Sequence, residues 1–467
     1  MTHDLIVIGA GSAGLTAAGG AAMFGLKVAL IEQSAMGGEC LNTGCVPSKA
    51  LLAAAKRAQC AREPTWMGVT LPDAEVDFAG VHRYLHDCIA AIAPRDSQAR
   101  FEAMGVDVFR DTARFVGRRE VMVGDRRLAA PRVVIATGSR PAIPDVPGLA
   151  AIPYLTNETL FALDTLPDHL VIIGGGAIGV EMAQAFRRLG SAVTMVVRGT
   201  LLARDDADAA ALVTYRLTRE GVTILSNCSA THAAREGNGL RLMLDNGTTI
   251  VGSHLLVATG RRANVDTLDL AAAGVVHGKR GIVVNARRRT SNRCIYAIGD
   301  CRDGPRFTHV AGYEGSLVAV AVALGWAGKV DWRALPHVTY CDPELAQIGL
   351  TEAEARDQHG DVDVTCEDVA DNDRAVTEGD TTGFLKLVRH RGRVVGVTIV
   401  GAHAGELLLP WTQVITGKTS TFALGSAIVA YPTRSELAKA AAFATLQPTV
   451  FGIWPNRWAR FLARVRR

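Results

Sequence analysis

The chain has 467 residues, 48% of them hydrophobic and 21% charged, a soluble globular composition that excludes wholesale disorder, collagen-like repeats and a disulfide scaffold. At about 150 residues per domain it holds roughly three domains. Its formal charge of +4 is uneven: residues 451–467 carry five Arg and no acid, more than the whole surplus, which argues against a nucleic-acid reader with basic residues spread over a folded face.

The longest apolar run, residues 316–328, falls short of the ~20 residues that span a bilayer. The opening Asp4-Leu5-Ile6-Val7-Ile8 reads as a strand and not as a signal peptide. A cytoplasmic protein is therefore expected. Its nine Cys, an odd number, argue against a structural disulfide framework and leave catalysis as the use for any disulfide.

That first strand runs into Gly9-Ala10-Gly11-Ser12-Ala13-Gly14, then a small-residue helix to Phe24, then a strand over 27–31 ending at Glu32. The layout returns later. A strand over 170–173 runs into Gly174-Gly175-Gly176-Ala177-Ile178-Gly179, then a helix to Leu189 and a strand over 192–197. A Gly-rich turn that follows a strand and opens a helix is a dinucleotide fingerprint. The first Gly (Gly9, Gly174) makes the turn, the second (Gly11, Gly176) admits the pyrophosphate, and the third (Gly14, Gly179) lets helix and strand pack closely. Glu32 is placed to bind a ribose diol, so the first site should take an adenine nucleotide without a 2′-phosphate. The second unit has Arg198 in that place and Arg204 six residues on, a pair suited to a 2′-phosphate; NADPH is the expected coenzyme, with NADH the alternative.

Pro141, Pro144, Pro147 and Pro153 mark a connection between the two units, and a second boundary is expected near residues 261–266. After it, residues 281–284 and 295–300 read as strands returning to the first sheet. From about Pro336, strands over 384–388 and 394–400 with short helices between them suggest an α+β domain.

The segment Gly37-Gly38-Glu39-Cys40-Leu41-Asn42-Thr43-Gly44-Cys45-Val46-Pro47-Ser48-Lys49 holds two Cys at a spacing that places them one turn apart at the start of a helix, near enough for a disulfide once the turn is distorted. Neither a second Cys pair nor a nearby His supplies the further ligands of a metal site. The segment resembles the redox site of the class I flavoprotein disulfide oxidoreductases, the family of dihydrolipoamide dehydrogenase, glutathione reductase and mercuric reductase. Ala136-Thr137-Gly138-Ser139-Arg140-Pro141, Ala258-Thr259-Gly260-Arg261 and Tyr296-Ala297-Ile298-Gly299-Asp300 resemble that family's other signatures, so the resemblance covers nearly the whole chain. It implies FAD at the first site, met by Asp300, with Thr137, Gly138 and Gly260 at the crossings between domains. By the same resemblance Cys45 is the thiolate facing the flavin and Cys40 the interchange thiol. Lys49 then lies beside flavin N5 and Glu181 pairs with it. A cation near N5 favours charge on reduced flavin, and a helix N-terminus favours a Cys45 thiolate.

The pattern departs from the disulfide-reducing members at Tyr431-Pro432-Thr433-Arg434-Ser435-Glu436, where they carry a His before the Pro. Glu436 is kept, but Tyr, with an unperturbed pKa near 10 against about 6.5 for His, is a poor proton shuttle at neutral pH. The mercuric reductase-like members carry Tyr there, and residues 182–191 and the Arg198–Arg204 spacing also resemble that branch. Two features of the full mercuric reductases are not found: a metal-carrier domain ahead of the reductase, and a vicinal Cys pair near the C-terminus, the last Cys being Cys366.

The resulting expectation is an α/β protein with two Rossmann-like domains and a C-terminal α+β dimerisation domain: FAD-binding over 1–150 and 267–333, NAD(P)-binding over 151–266, dimerisation over 334–447, and a basic amphipathic tail over 448–467. The family implies a homodimer in which Tyr431 and Glu436 reach the other subunit's Cys40. The expected acceptor is a metal ion such as Hg(II), with a small disulfide such as lipoamide, or a quinone served directly by flavin, as alternatives. A non-catalytic redox sensor is disfavoured, having no need of a complete hydride path. Within the tail, Trp458, Phe461, Leu462 and Val465 recur at helical spacing, with Arg457, Arg460, Arg464 and Arg467 on the other side. The expectation for residues 456–467 is packing on the dimerisation domain, with weak contact with the inner membrane surface as the alternative.

Overall fold

Leu5–Ile8 and Val28–Ile31 consist of four buried apolar residues each. Runs with no polar face fold as parallel strands covered on both sides. In the computed structural model, which describes all residues except 63–66, 71, 73, 327 and 467, they belong to an all-parallel sheet of five strands. Its order is Ile295–Ala297, Arg132–Ile135, Leu5–Ile8, Val28–Ile31, Asp107–Phe109. A second parallel sheet has the order Thr223–Ser226, Ala192–Val197, His169–Ile173, His254–Val257.

The duplication goes further than the fingerprints. Just before its closing strand, each half inserts a three-stranded antiparallel meander: Ala113–Gly117, Glu120–Val123 and Arg126–Ala129 in the first, Ala230–Glu236, Gly239–Leu244 and Thr249–Gly252 in the second. One face of each meander is apolar and buried; Phe115, Val121 and Leu128 join the first sheet's core, and Leu240, Leu242 and Ile250 the second's.

One strand assignment needs correction. Ile295–Ala297 does return to the first sheet, but Gly281–Ile282 pairs with His277–Gly278 in a separate two-stranded ribbon. Ile282 still enters the first core, while Val283 next to it is exposed.

The C-terminal part is α+β, as expected. Its five-stranded antiparallel sheet has the order Pro336–Thr339, Glu344–Gly349, Arg393–Gly401, Phe384–His390, Asp363–Asp368, packed around Trp411, Leu437 and Ala441. The chain forms two compact units: Met1–Gly175, Ala185–Arg198 and Thr223–Val330 in one, Gly176–Gln184, Gly199–Val222 and Asp331–Arg467 in the other. Among the described residues no helix is long and apolar enough to cross a membrane.

Candidate active site

Both fingerprints are built on the same backbone contact. Gly9 has φ +106°, and a Cβ there would stand 2.4 Å from the Ala136 carbonyl oxygen; Gly174 has φ +129°, and its Cβ would stand 2.3 Å from that of Ala258. Only glycine fits either place. Ala136 and Ala258 open the Thr137-Gly138 and Thr259-Gly260 turns, and their amides bond the ends of the fingerprint strands, to Ile8 and Ile173, at 2.8 Å each. The two turns are joined to each other: Ser139–Pro141 pairs with Arg261–Ala263, and the Thr137 hydroxyl donates to the Asn264 carbonyl at 2.6 Å.

The residues present fit the nucleotides their motifs imply. Gly14 is pinned, since a Cβ there would strike the Gly9 carbonyl, whereas a Cβ on Gly11 meets nothing nearer than 3.8 Å and one on Gly176 nothing within 4 Å. The second glycine of each fingerprint therefore leaves room for a diphosphate above a helix N-terminus. Glu32 directly follows Val28–Ile31, its carboxylate accepting the amides of Ala10 at 2.6 Å and Ser34 at 2.7 Å, so it is held beside the loop that would carry the diphosphate.

The cysteine pair is placed differently from the single-helix expectation. Cys40 lies in the short helix Gly38–Asn42, the chain breaks at Thr43 and Gly44, and Cys45 begins the helix Cys45–Cys60. Gly44 permits the break, because a Cβ there would crowd the Glu39 carbonyl at 2.9 Å. Two further helices begin at the pair. Thr308, first residue of Thr308–Leu324, has its hydroxyl 3.4 Å from Cys45 Sγ, and Ser12, first residue of Ser12–Met23, is near enough to Cys40 for its hydroxyl to favour the thiolate. Three helix N-termini thus converge on two sulfurs, a field that favours negative charge. The Cys40 thiol is nonetheless pushed well above its usual range, first by its hydrogen bond to Cys45, then by burial and by Cys45's charge, with the Thr308 and Ser12 hydroxyls opposing. Lys49 lies four residues after Cys45 on the same helix, hence on the same face.

Two polar networks that sequence reasoning missed fix this region. Arg261 forks onto both carboxylate oxygens of Glu39 and donates through Nε to Ser139 Oγ at 2.8 Å; Ser139 in turn donates to Asp300 at 2.8 Å. Burial raises the Glu39 carboxyl pKa, against the pull of Arg261. Asp300 itself sits in the turn Gly299–Cys301. Beneath that turn Glu314, fully buried, accepts from the Gly299 amide at 2.8 Å, from Arg302 Nε at 2.9 Å and from Arg288 at 3.0 Å. The visible signal for the first network was an Arg directly after Ala258-Thr259-Gly260; for the second there was none, its members being 12 to 26 residues apart.

The remaining candidates fall as follows. Gly179 and Glu181 lie in Ala177–Leu189; Glu181 is buried and accepts the Tyr340 amide at 3.0 Å. Arg198 and Arg204 are both exposed. Tyr431 is 71% exposed and donates to Asp373 at 2.9 Å; that hydrogen bond, then Asp373's charge, raises its pKa. Glu436 accepts the Thr433 amide at 3.2 Å, in the first turn of Ser435–Ala444.

Comparison with known proteins identifies the family. The family profile described as pyridine nucleotide-disulphide oxidoreductase matches residues 3–315, and that of the same family's dimerisation domain matches residues 335–442. The chain is 34% identical to mercuric reductase of Lysinibacillus sphaericus over 94% of its own length and 82% of the relative's. It is also 34% identical to dihydrolipoyl dehydrogenase of Bacillus subtilis, over 94% and 95%. Among solved structures it resembles the Cu(II) complex of the HOCl-induced flavoprotein disulfide reductase RclA from Escherichia coli, with a TM-score of 0.84, 28% identity and coverage of 94% and 99%. The chain therefore belongs to the pyridine nucleotide-disulphide oxidoreductases, as an FAD-dependent enzyme that carries the family's dimerisation domain and works as a homodimer.

Proposed function

We propose that this enzyme is an NADPH-dependent reductase whose Cys40–Cys45 pair passes electrons to a thiophilic metal ion, in the manner of a mercuric reductase. The observation that carries the reading is the meeting of three helix N-termini at the two sulfurs, because that field suits a thiolate. Bound FAD supplies the two-electron carrier between the nicotinamide and the disulfide. Glu32, Asp300 and the loop at Gly11 would hold it, and Lys49 would stand beside its reactive edge. Cys40 takes the interchange role, with Cys45 facing the flavin.

For a divalent ion the balance is NADPH + M(II) giving NADP⁺, H⁺ and M(0), so no proton has to be delivered to a leaving thiol. For a small disulfide, NADPH, one H⁺ and RSSR give NADP⁺ and two RSH, and the S–S cleavage needs a proton donor. Tyr431, already donating to Asp373 and with its pKa raised, is a poor proton shuttle at neutral pH. Turnover of Hg(II) with excess small thiol, lipoamide and a quinone, compared on one preparation, tests the reading. The expected order has Hg(II) first; faster lipoamide turnover overturns it.

Two substitutions follow. Tyr431→His is expected to raise lipoamide or glutathione disulfide reduction, with activity that titrates near pH 6.5, because Glu436 is already held by a backbone amide. Unchanged rates for both disulfides mean that the pocket as well as the relay is absent. Arg198→Glu is expected to raise the KM for NADPH about ten- to a hundredfold, the worth of a charge-assisted hydrogen bond reversed, with flavin content unchanged. A wild-type preference for NADH contradicts the coenzyme assignment.

A further inference from the structure

The last helix, Ile453–Val465, buries none of its residues. Yet it is among the most aromatic segments of the chain: Trp454 is 78% exposed, Trp458 61%, Phe461 53% and Val465 66%. These four recur at i, i+4, i+7 and i+11, so they form one stripe. The stripe is already assembled, with the Trp458 and Phe461 rings stacked at 5.5 Å and the Arg457 guanidinium 5.9 Å from the Trp454 ring centre.

Arg457, Arg460 and Arg464 form a second stripe. Three residues of helix turn through about 300°, so the arginines run beside the aromatic stripe and not opposite it. The helix also starts three residues before the expected tail motif, and Arg467 lies outside the described residues. A cationic stripe flanking an aromatic one suits a helix lying in a surface, with rings entering the apolar layer and guanidiniums held at headgroup level.

We propose that Ile453–Val465 docks the enzyme onto an anionic phospholipid surface. Water is a poor neighbour for four large apolar side chains, and contiguous exposed apolar stripes mark contact sites. Charge complementarity chooses the occupant: residues 451–467 contain five Arg and no acid, which selects a negatively charged surface and opposes a like-charged second helix. The aromatic stripe chooses a bilayer over a purely polar polyanion, because the rings need an apolar phase to enter.

The test uses the flavin-loaded full chain sedimented with vesicles of phosphatidylcholine containing about one-third phosphatidylglycerol, at ionic strengths of about 0.02 M and 0.5 M. Co-sedimentation is expected at low salt and its loss at high salt and on phosphatidylcholine alone. Each of Arg457→Gln, Arg460→Gln and Arg464→Gln is expected to lower partitioning about fivefold, and Trp458→Ala about tenfold. A chain ending at Gly452 keeps the Phe443–Phe451 ring contact and should stay in the supernatant with flavin content and NADPH oxidation unchanged. The proposal is overturned if the full chain remains in the supernatant, if it binds both vesicle types equally, or if the shortened chain still sediments. It is equally overturned if truncation turns a dimer into a monomer while neither form binds vesicles, because the helix then covers a second copy.

Discussion

Cys40→Ser is expected to lower turnover of Hg(II) or a disulfide by on the order of a thousandfold or more, because residues acting as one catalytic unit lose nearly everything when one is removed. The same variant should keep a quinone acceptor close to the wild-type rate, since such an acceptor takes electrons without the interchange sulfur. Cys40 occupies its own short helix near Ser12, while Cys45 sits at the start of the next helix and against Thr308. Loss of the Cys40 sulfur therefore leaves the Cys45 side of the site standing. Stopped-flow NADPH oxidation with each acceptor gives the answer, and equal loss for all three acceptors contradicts the division of labour between the sulfurs.

Glu314→Ala carries the second large effect. It leaves Arg288 and Arg302 buried without their shared carboxylate, and breaking a buried ion cluster in this way costs about 3–5 kcal/mol. It also frees the Gly299 amide that Glu314 holds, so the Asp300 turn loses its anchor. Both a lower unfolding temperature and weaker flavin retention on gel filtration are expected. Glu314→Gln, which keeps an acceptor of the same shape, should recover part of the retention. A Glu314→Ala protein that unfolds and holds flavin like wild type contradicts the role given to this carboxylate.

What the sequence discloses and what it hides separate along the distance between partners. The fingerprints at Gly9 and Gly174, with Glu32 and Arg198 at the ends of the following strands, are legible because each is a local run whose turn and charge lie within about 25 residues. The Cys40–Cys45 segment is legible for the same reason. The convergence of Ser12, Cys45 and Thr308 is not, because three helix starts far apart in sequence are brought together only by the fold. Glu314 resembles any helical Glu until its two arginines, from separate loops, close over it. Residues 281–284 show the converse error: the run reads as a strand of the first sheet, but only Gly281–Ile282 forms a strand and Val283 is 50% exposed, because the pairing partner of a short strand depends on chain geometry beyond its own residues.

The central claim is that electrons from NADPH reach the Cys40–Cys45 pair through the bound flavin. Anaerobic titration of the oxidised holoenzyme with NADPH tests it most directly. The account predicts that the first two electrons per subunit produce a long-wavelength thiolate-to-flavin charge-transfer band while most of the flavin absorbance is retained, and that Cys45→Ser abolishes the band. Bleaching of the flavin at two electrons in the wild type, with no such band, contradicts it and points to an electron path that bypasses both sulfurs.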